Sequence, residues 1–486
     1  MVSELHLAAV PQANYFLDRP SVSMTPDPLQ DLGNLLGEHR LLTEPSALAH
    51  YGKDWTRFAE PAPSAVLLPE STEEVQAIVS AARVAGIPIV PSGGRTGLSG
   101  GAMATNGEWV LSLERMNKIL GVDAVGRSLH CQAGAITADI QRAAVESGLF
   151  YPVDFASSGS SQIGGNIATN AGGIRVIRYG MTRDWVTGMT AVTGAGDILA
   201  LNRGLIKNNS GVDLRHLMIG SEGTLGVITE ATLRLTSPPK DPAVVVMGLP
   251  SMQAVMAVLR TFQDALELMA FEFFSELALD KVVNHRGLQR PFNAVTPFYV
   301  LLEFDRGDAD SEDRLESALA QSMERHSVVD AVISQSLSQY RNLWRLREDI
   351  SETIAQWFPY KNDLSTTVAQ VPDFLDAIES VVAKRYPDLE VIWYGHIGDG
   401  NLHLNILKPE GEDIAAFQAR CADVNDEIFA EVAKLGGSIS AEHGIGLLKK
   451  PYLGITRSIE EIEIMRAIKR SLDPDNILNP GKVFDA

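Results

Sequence analysis

Apolar runs of strand length alternate with helix-period segments from Ala65 onward. Ala65-Val66-Leu67-Leu68 reads as a strand, the Ser71/Glu74 spacing of a capping box opens a helix, and Ile87-Pro88-Ile89-Val90 reads as a second strand. Further on, Val244-Val245-Val246, a helix over 252–268, an apolar strand over 298–304 and a charged helix over 312–325 predict an α+β layer. Between these halves, residues 236–242 hold three prolines, which places a domain boundary there. The chain ends in a helix capped by Ser458 and Glu461 and running through Leu472, then an extended tail over 473–481.

One stretch of period two carries chemistry. Val391-Ile392-Trp393 leads into Gly395-His396-Ile397-Gly398-Asp399-Gly400-Asn401-Leu402-His403, and Leu404-Asn405-Ile406-Leu407 leads out, which predicts a hairpin with residues 398–401 as its loop. A symmetric turn pairs Ile397 with Leu402 and His396 with His403, setting the two histidine Cβ atoms roughly 4.5 to 5.5 Å apart, close enough to share a metal ion. Asn405 falls on the face of His403, while Ile397, Leu402, Leu404 and Ile406 form an apolar face. Ser440-Ala441-Glu442-His443-Gly444-Ile445-Gly446 offers an oxygen ligand beside another imidazole, and zinc takes such His and Glu ligands. Satisfied polar histidines are the plainer reading; the register, the glycine turn and the Glu-His pair together favour the metal.

Three glycine-rich loops follow strand-like segments: Pro91-Ser92-Gly93-Gly94-Arg95-Thr96-Gly97-Leu98-Ser99-Gly100-Gly101, the SSGSSQIGGNIATNAGG run over 157–173, and GSEGTLG over 220–226. Any one could be a turn. Three favour a large phosphate-bearing ligand, because glycine backbones turn several N–H groups toward one anion. Neither G-x-G-x-x-G nor G-x4-G-K-[ST] occurs in them, which disfavours a nicotinamide Rossmann domain and a P-loop NTPase.

With 486 residues and 45% hydrophobic content, the chain has material for two or three domains. A formal charge of −20 argues against nucleic acid or an anionic membrane as the main partner. Cys131 and Cys421 alone cannot build a disulfide framework or a cysteine-held iron–sulfur cluster, and no run reaches the roughly 18 apolar residues of a spanning helix. The first thirty residues lack the pattern of a signal or transit peptide, so the expectation is a cytoplasmic protein.

Taken together, these motifs resemble those of the FAD-dependent D-2-hydroxyacid dehydrogenases of the vanillyl-alcohol-oxidase fold superfamily, over nearly the whole chain. The resemblance implies a two-part FAD-binding domain and an α+β cap with an antiparallel sheet, divided as 1–240, 241–450 and a C-terminal 451–486 that returns to the flavin. It implies that Pro91, Ser92, Gly93, Gly94, Arg95, Thr96, Gly97 and Leu98 contact FAD. From the second loop come Gly159, Ser160, Gly164, Gly165, Asn166, Thr169, Asn170, Gly172 and Gly173; Glu222, Gly226, Val227, Ile228 and Asn479 complete the set. Relatives that tether flavin covalently often use a histidine in the first loop; here Arg95 is present and no histidine, so the flavin is expected to be non-covalent.

In the metal-dependent branch, the residues matching His396, His403 and Glu442 hold zinc or manganese, Asn405 touches substrate, and His443 is the general base. Leu346-Arg347-Glu348-Asp349-Ile350-Ser351 and Pro359-Tyr360-Lys361-Asn362-Asp363-Leu364-Ser365 are similar to segments of the D-2-hydroxyglutarate dehydrogenases, where an arginine, a hydroxyl and a lysine grip the second carboxylate. Ser351 stands where a threonine is expected and keeps the hydroxyl. Arg347 and Ser351 are also one helical turn apart, and Lys361 adds a second cation for a dianion; the plainer reading pairs Arg347 with Glu348 or Asp349.

The implied reaction is oxidation of a small 2-hydroxy acid, D-2-hydroxyglutarate, with hydride passing from C2 to flavin N5. D-Lactate dehydrogenase and the glycolate oxidase flavin subunit are the near alternatives. A zinc hydrolase is the distant one, and it leaves the glycine loops unused. The implied electron acceptor is electron-transferring flavoprotein or a quinone, and a homodimer is the assembly to test.

Overall fold

The computed structural model describes residues 28–56, 58–307, 310–325 and 328–486; the first twenty-seven residues, on which the targeting expectation chiefly rests, lie outside them. Two sheets build the N-terminal half. The first orders its strands as Leu41–Leu42, Ala65–Leu67, Trp109–Ser112 and Ile89–Ser92, with Trp109–Ser112 parallel to both its neighbours Ala65–Leu67 and Ile89–Ser92. Trp109–Ser112 thus separates the two strands read from the sequence. The second sheet is antiparallel, with Gly226–Arg234 at its centre between Ser128–Gln132 and Val186–Thr193. Ile89, Val75, Ile78, Leu129, Ala191 and Leu233 belong to one buried core that spans both sheets.

The helix Thr72–Ala85 begins as its sequence suggests, with Ser71 Oγ accepting from Glu74 N–H. Only half of the capping box forms. The Glu74 carboxylate instead accepts from Glu70 N–H and pairs with the buried Arg40 guanidinium, a charged partner outcompeting Ser71 N–H. At the C-terminus, Ser458 and Glu461 complete the full box that opens Ile459–Leu472.

The C-terminal half centres on a seven-stranded antiparallel sheet ordered Asp330–Ile333, Pro242–Leu249, Phe298–Asp305, Leu268–Ser275, Val391–Gly395, Asn401–Ile406 and Tyr360–Ser365. The sequence extends one helix to 268, whereas Met252–Ala265 stops earlier and Leu268–Ser275 is a strand. Met252–Ala265, Val371–Arg385 and Ile414–Lys434 cover one face of the sheet, with Ile397, Leu402, Leu404 and Ile406 among the side chains packed beneath them. Glu276–Arg286 and Leu337–Glu348 cover part of the other, against Ile392 and Tyr394.

The tail then returns to the first sheet. Ile89 N–H donates to Ile477 O, Asn479 N–H donates to Ile89 O, and Leu478 makes a parallel bridge to Ile89. Lys469 is buried at the base of this tail, donating to Thr224 O and Leu478 O beside Asp473. Among the described residues, no helix is long and apolar enough to cross a membrane.

Candidate active site

The hairpin Val391–Gly395/Asn401–Ile406 has a different register from the symmetric turn. Tyr394 replaces His396 opposite His403, a pairing slip of two, and the turn covers residues 397–400 in place of 398–401. The neighbouring strand sets this register: Gly398 N–H donates to Phe271 O, and Gly400 turns through φ 87°. A slip of two leaves every side chain on its predicted face. His396 therefore still reaches His403, the ring centroids 5.3 Å apart and nearly perpendicular.

Glu442 closes the cluster. His396, His403 and Glu442 each present a ligand atom within 4.8 Å of the others, with His396 Nε2 lying 3.5 Å from Glu442 Oε2. Each imidazole has a carboxylate behind it: His396 Nδ1 is 2.8 Å from Glu272 Oε1, and His403 Nδ1 is 3.5 Å from Asp363 Oδ1. Such partners turn the opposite nitrogens toward a metal. Burial lowers the His396 imidazole, but Glu272 and Glu442 together hold it well above its ordinary value. The two-imidazole, one-carboxylate set is chemically suited to zinc, and this concentration of buried negative charge is electrostatically suited to a cation.

Asp363 organises the rest. It is fully buried, and its Oδ2 accepts from the backbone N–H groups of Glu442 and His443 at 2.8 and 3.0 Å. Its Oδ1 accepts from Asn401 Nδ2 at 2.9 Å. Burial lowers His443 to about 4 despite the pull of Asp363, which leaves a neutral imidazole able to accept a proton. Glu222, in a third loop, accepts from Ile445 N–H and Gly446 N–H and so anchors the turn just after His443.

The cations meet only in part. Lys361 Nζ donates to Ser351 Oγ at 3.1 Å, and Lys361 lies across from Asn405 in the sheet. Arg347 and Ser351 are on two helices, Leu337–Glu348 and Ile350–Ile354, instead of one. Asp349 at the junction pairs with Arg345, and Arg347 pairs with neither Glu348 nor Asp349 but with Glu272, Nη2 to Oε2 2.7 Å without hydrogen-bond angles. Asn405 is buried with both amide atoms lacking partners, a polar surface that a substrate could satisfy.

A cavity beside this cluster is walled by all three glycine loops. Pro91 to Gly97, Gly164, Gly165, Asn166, Thr169, Glu222, Val227, Ile228 and Asn479 line it, and so does His443. Arg95, Glu222 and Asn479 are non-glycine residues at positive φ here, 57°, 51° and 46°, the kind of backbone strain that collects at ligand sites. Ser92 Oγ and Gln162 Oε1 are buried without partners, and a Cβ on Gly94 would come 2.2 Å from Ser160 O. These features are consistent with the backbone-cradled phosphates of FAD. Seven residues of the implied set have other surroundings. Gly172 and Gly173 hold Glu442, through close approach and a 2.6 Å hydrogen bond from Gly173 N–H to Oε1, while Asn170 Oδ1 accepts from Arg183 N–H. Ser160 buttresses Gly94, Gly226 starts a strand against Val192, and Leu98 and Gly159 stand outside the lining.

Glu272 and the hub role of Asp363 escape a reading of local sequence. The available signal for Glu272 is a lone carboxylate in an apolar strand, since such a group is costly to bury without a partner.

Comparisons with known proteins agree with this layout. A family model described as FAD linked oxidases, C-terminal domain, matches residues 238–483, and one described as FAD binding domain matches residues 63–202. D-2-Hydroxyglutarate dehydrogenase of Stutzerimonas stutzeri (strain A1501) is 54% identical over 461 residues, 94% of this chain and 99% of that protein. The protein of the same name from Xanthomonas citri pv. viticola is 55% identical over 446 residues, 92% of this chain and 94% of that one. Among solved structures, 4-ethylphenol oxidase from Gulosibacter chungangensis covers 94% of this chain and 96% of its own at TM-score 0.75 and 17% identity. p-Cresol methylhydroxylase gives TM-score 0.74 at 16% identity over 94% and 96%; both show the shared fold.

Proposed function

The chain belongs to the FAD-linked oxidase family that includes the D-2-hydroxyglutarate dehydrogenases, and from that membership we propose that it oxidises D-2-hydroxyglutarate to 2-oxoglutarate with the help of a divalent metal. One observation carries the placement: His443 lines the FAD cavity while its neighbour Glu442 belongs to the donor cluster, and Asp363 accepts from the backbone N–H of both. A substrate held at that junction would lie between the cavity and the donor cluster.

Bound FAD supplies the two-electron acceptor, and a metal at His396, His403 and Glu442 supplies a Lewis acid for the substrate oxygens. The residues do the rest. Neutral His443 takes the 2-hydroxyl proton as hydride leaves C2, and Asp363 and Glu222 fix the loop that carries it. Asn405 offers its unsatisfied amide to the C1 end. Lys361, Ser351 and Arg347 offer positive charge and a hydroxyl to the second carboxylate. We place the protein in the cytoplasm, in keeping with two free buried cysteines, and propose electron-transferring flavoprotein or a quinone as acceptor.

Three measurements test this reading. The purified protein is expected to be yellow and to release FAD on mild denaturation; flavin that stays on the unfolded polypeptide contradicts a non-covalent site. Chelation is expected to lower turnover at least about tenfold with FAD retained, and His403→Ala to reproduce it, since the proposed ligands act on the substrate and lie outside the glycine loops. Full activity and metal content in that variant would remove the metal from the proposal. D-2-Hydroxyglutarate is expected to exceed D-lactate by about tenfold or more in kcat/KM, since one charge-assisted bond contributes roughly 1.5 to 3 kcal/mol. Lys361→Met is expected to erode that preference mainly through KM, and equal damage to both substrates would assign Lys361 to the fold or to the C1 end.

A further inference from the structure

Glu272 is the one charged side chain of Leu268–Ser275, a strand of Leu, Met, Ala, Phe and Ser, and it is 1% exposed. Its two oxygens serve two parts of the site. Oε1 lies 2.8 Å from His396 Nδ1, and Oε2 lies 2.7 Å from Arg347 Nη2. A second link joins the same groups from the other side: the Arg347 guanidinium sits 4.7 Å over the Tyr394 ring, whose centroid is 5.0 Å from that of His403. The arginine offered to the second carboxylate is thus tied to both histidines of the donor cluster.

We propose that Glu272 is a positioning residue that couples dicarboxylate recognition to the metal ligands, fixing the His396 tautomer with one oxygen and the Arg347 guanidinium with the other. The inference rests on the function proposed above and assigns a residue that it leaves out. A carboxylate that accepts from Nδ1–H keeps the Nε2 lone pair toward Glu442, where a metal needs it. The opposite oxygen balances a buried guanidinium that would otherwise stand unpaired whenever the substrate site is empty. Because the contact to Arg347 lacks hydrogen-bond angles, Arg347 Nε and Nη2 remain buried donors without acceptors. Those donors are available to a second carboxylate, and lactate has none to offer. The two functions share one rigid side chain, so disturbing it is expected to move metal affinity and substrate choice together.

The test uses the FAD-loaded full-length protein with Glu272→Gln and Glu272→Ala. Zinc affinity is read by competition with a chromophoric chelator, independently of turnover, and substrate preference is read as the ratio of kcat/KM for D-2-hydroxyglutarate and D-lactate at saturating zinc. Glutamine can still accept from His396 through its carbonyl, but its NH2 then confronts the Arg347 donors. Glu272→Gln is therefore expected to lose preference about tenfold, mainly through KM, while zinc affinity falls less than in Glu272→Ala, where a loss of roughly 10 to 100-fold is expected. Wild-type affinity and preference in Glu272→Gln, the near-isosteric change, would overturn the coupling, as would an equal loss for both substrates. Wild-type protein that bound no zinc or showed no preference would sink the function beneath it and the coupling with it.

Discussion

Replacing His443 by alanine is expected to slow flavin reduction by D-2-hydroxyglutarate by roughly 10² to 10⁴-fold, the usual cost of a lost general base, while FAD and metal stay bound. The imidazole lines the FAD cavity and lies outside the His396, His403 and Glu442 donor set. Asp363 Oδ2 accepts from its backbone N–H and also lies 3.6 Å from its ring Nδ1, so truncation removes the ring contact but keeps the backbone bond that anchors the loop. A proton acceptor works in the transition state, so kcat and kcat/KM are expected to fall together with little change in substrate binding. Anaerobic stopped-flow bleaching of the flavin, with metal content measured in parallel, checks this. Near wild-type bleaching would move the base to another group. Loss of metal would show that the ring supports the donor cluster instead.

The parts of this site legible in the sequence are those written in short-range periodicity. The hairpin faces were predictable although its register was not, because parity survives a slip of two whereas the choice of turn depends on Gly398 bonding to Phe271 more than a hundred residues away. Three glycine loops pointed to one ligand because positive φ and close approach leave a mark on composition. Glycines that wall the cofactor cavity and glycines that meet a carboxylate look alike in a sequence: Gly172 makes room for Glu442, and Gly173 donates its N–H to it. The full capping box at Ser458 and the half box at Ser71 also look alike, and the difference lies in where Arg40 falls. Arg347 illustrates the general limit: it sits on a helix and its partner Glu272 on a distant strand of the sheet, and no spacing rule reaches that far.

Asp363 gives the most discriminating case, since Asp363→Ala and Asp363→Asn are expected to fail in different ways. Alanine removes the acceptor shared by Glu442 N–H, His443 N–H and Asn401 Nδ2 in a fully buried position, and breaking such a charged hub costs about 3 to 5 kcal/mol. A clearly lowered Tm, with metal and turnover lost, is the expected result. Asparagine can keep its carbonyl at the Oδ2 position, so the Glu442-His443 turn survives and the protein folds. Its NH2 then takes the Oδ1 position, facing the Asn401 donor and, at 3.5 Å, His403 Nδ1. To meet that NH2, His403 must present Nδ1 as acceptor and carry its proton on Nε2, the nitrogen a metal requires free. Asp363→Asn is therefore expected to keep FAD and most of its thermal stability while metal affinity drops roughly 10 to 100-fold, as it does when a partner behind a ligand is lost. If Asp363→Asn bound metal like the wild type, the carboxylate would be holding the loop alone, and the tautomer of His403 would have to be set by another neighbour.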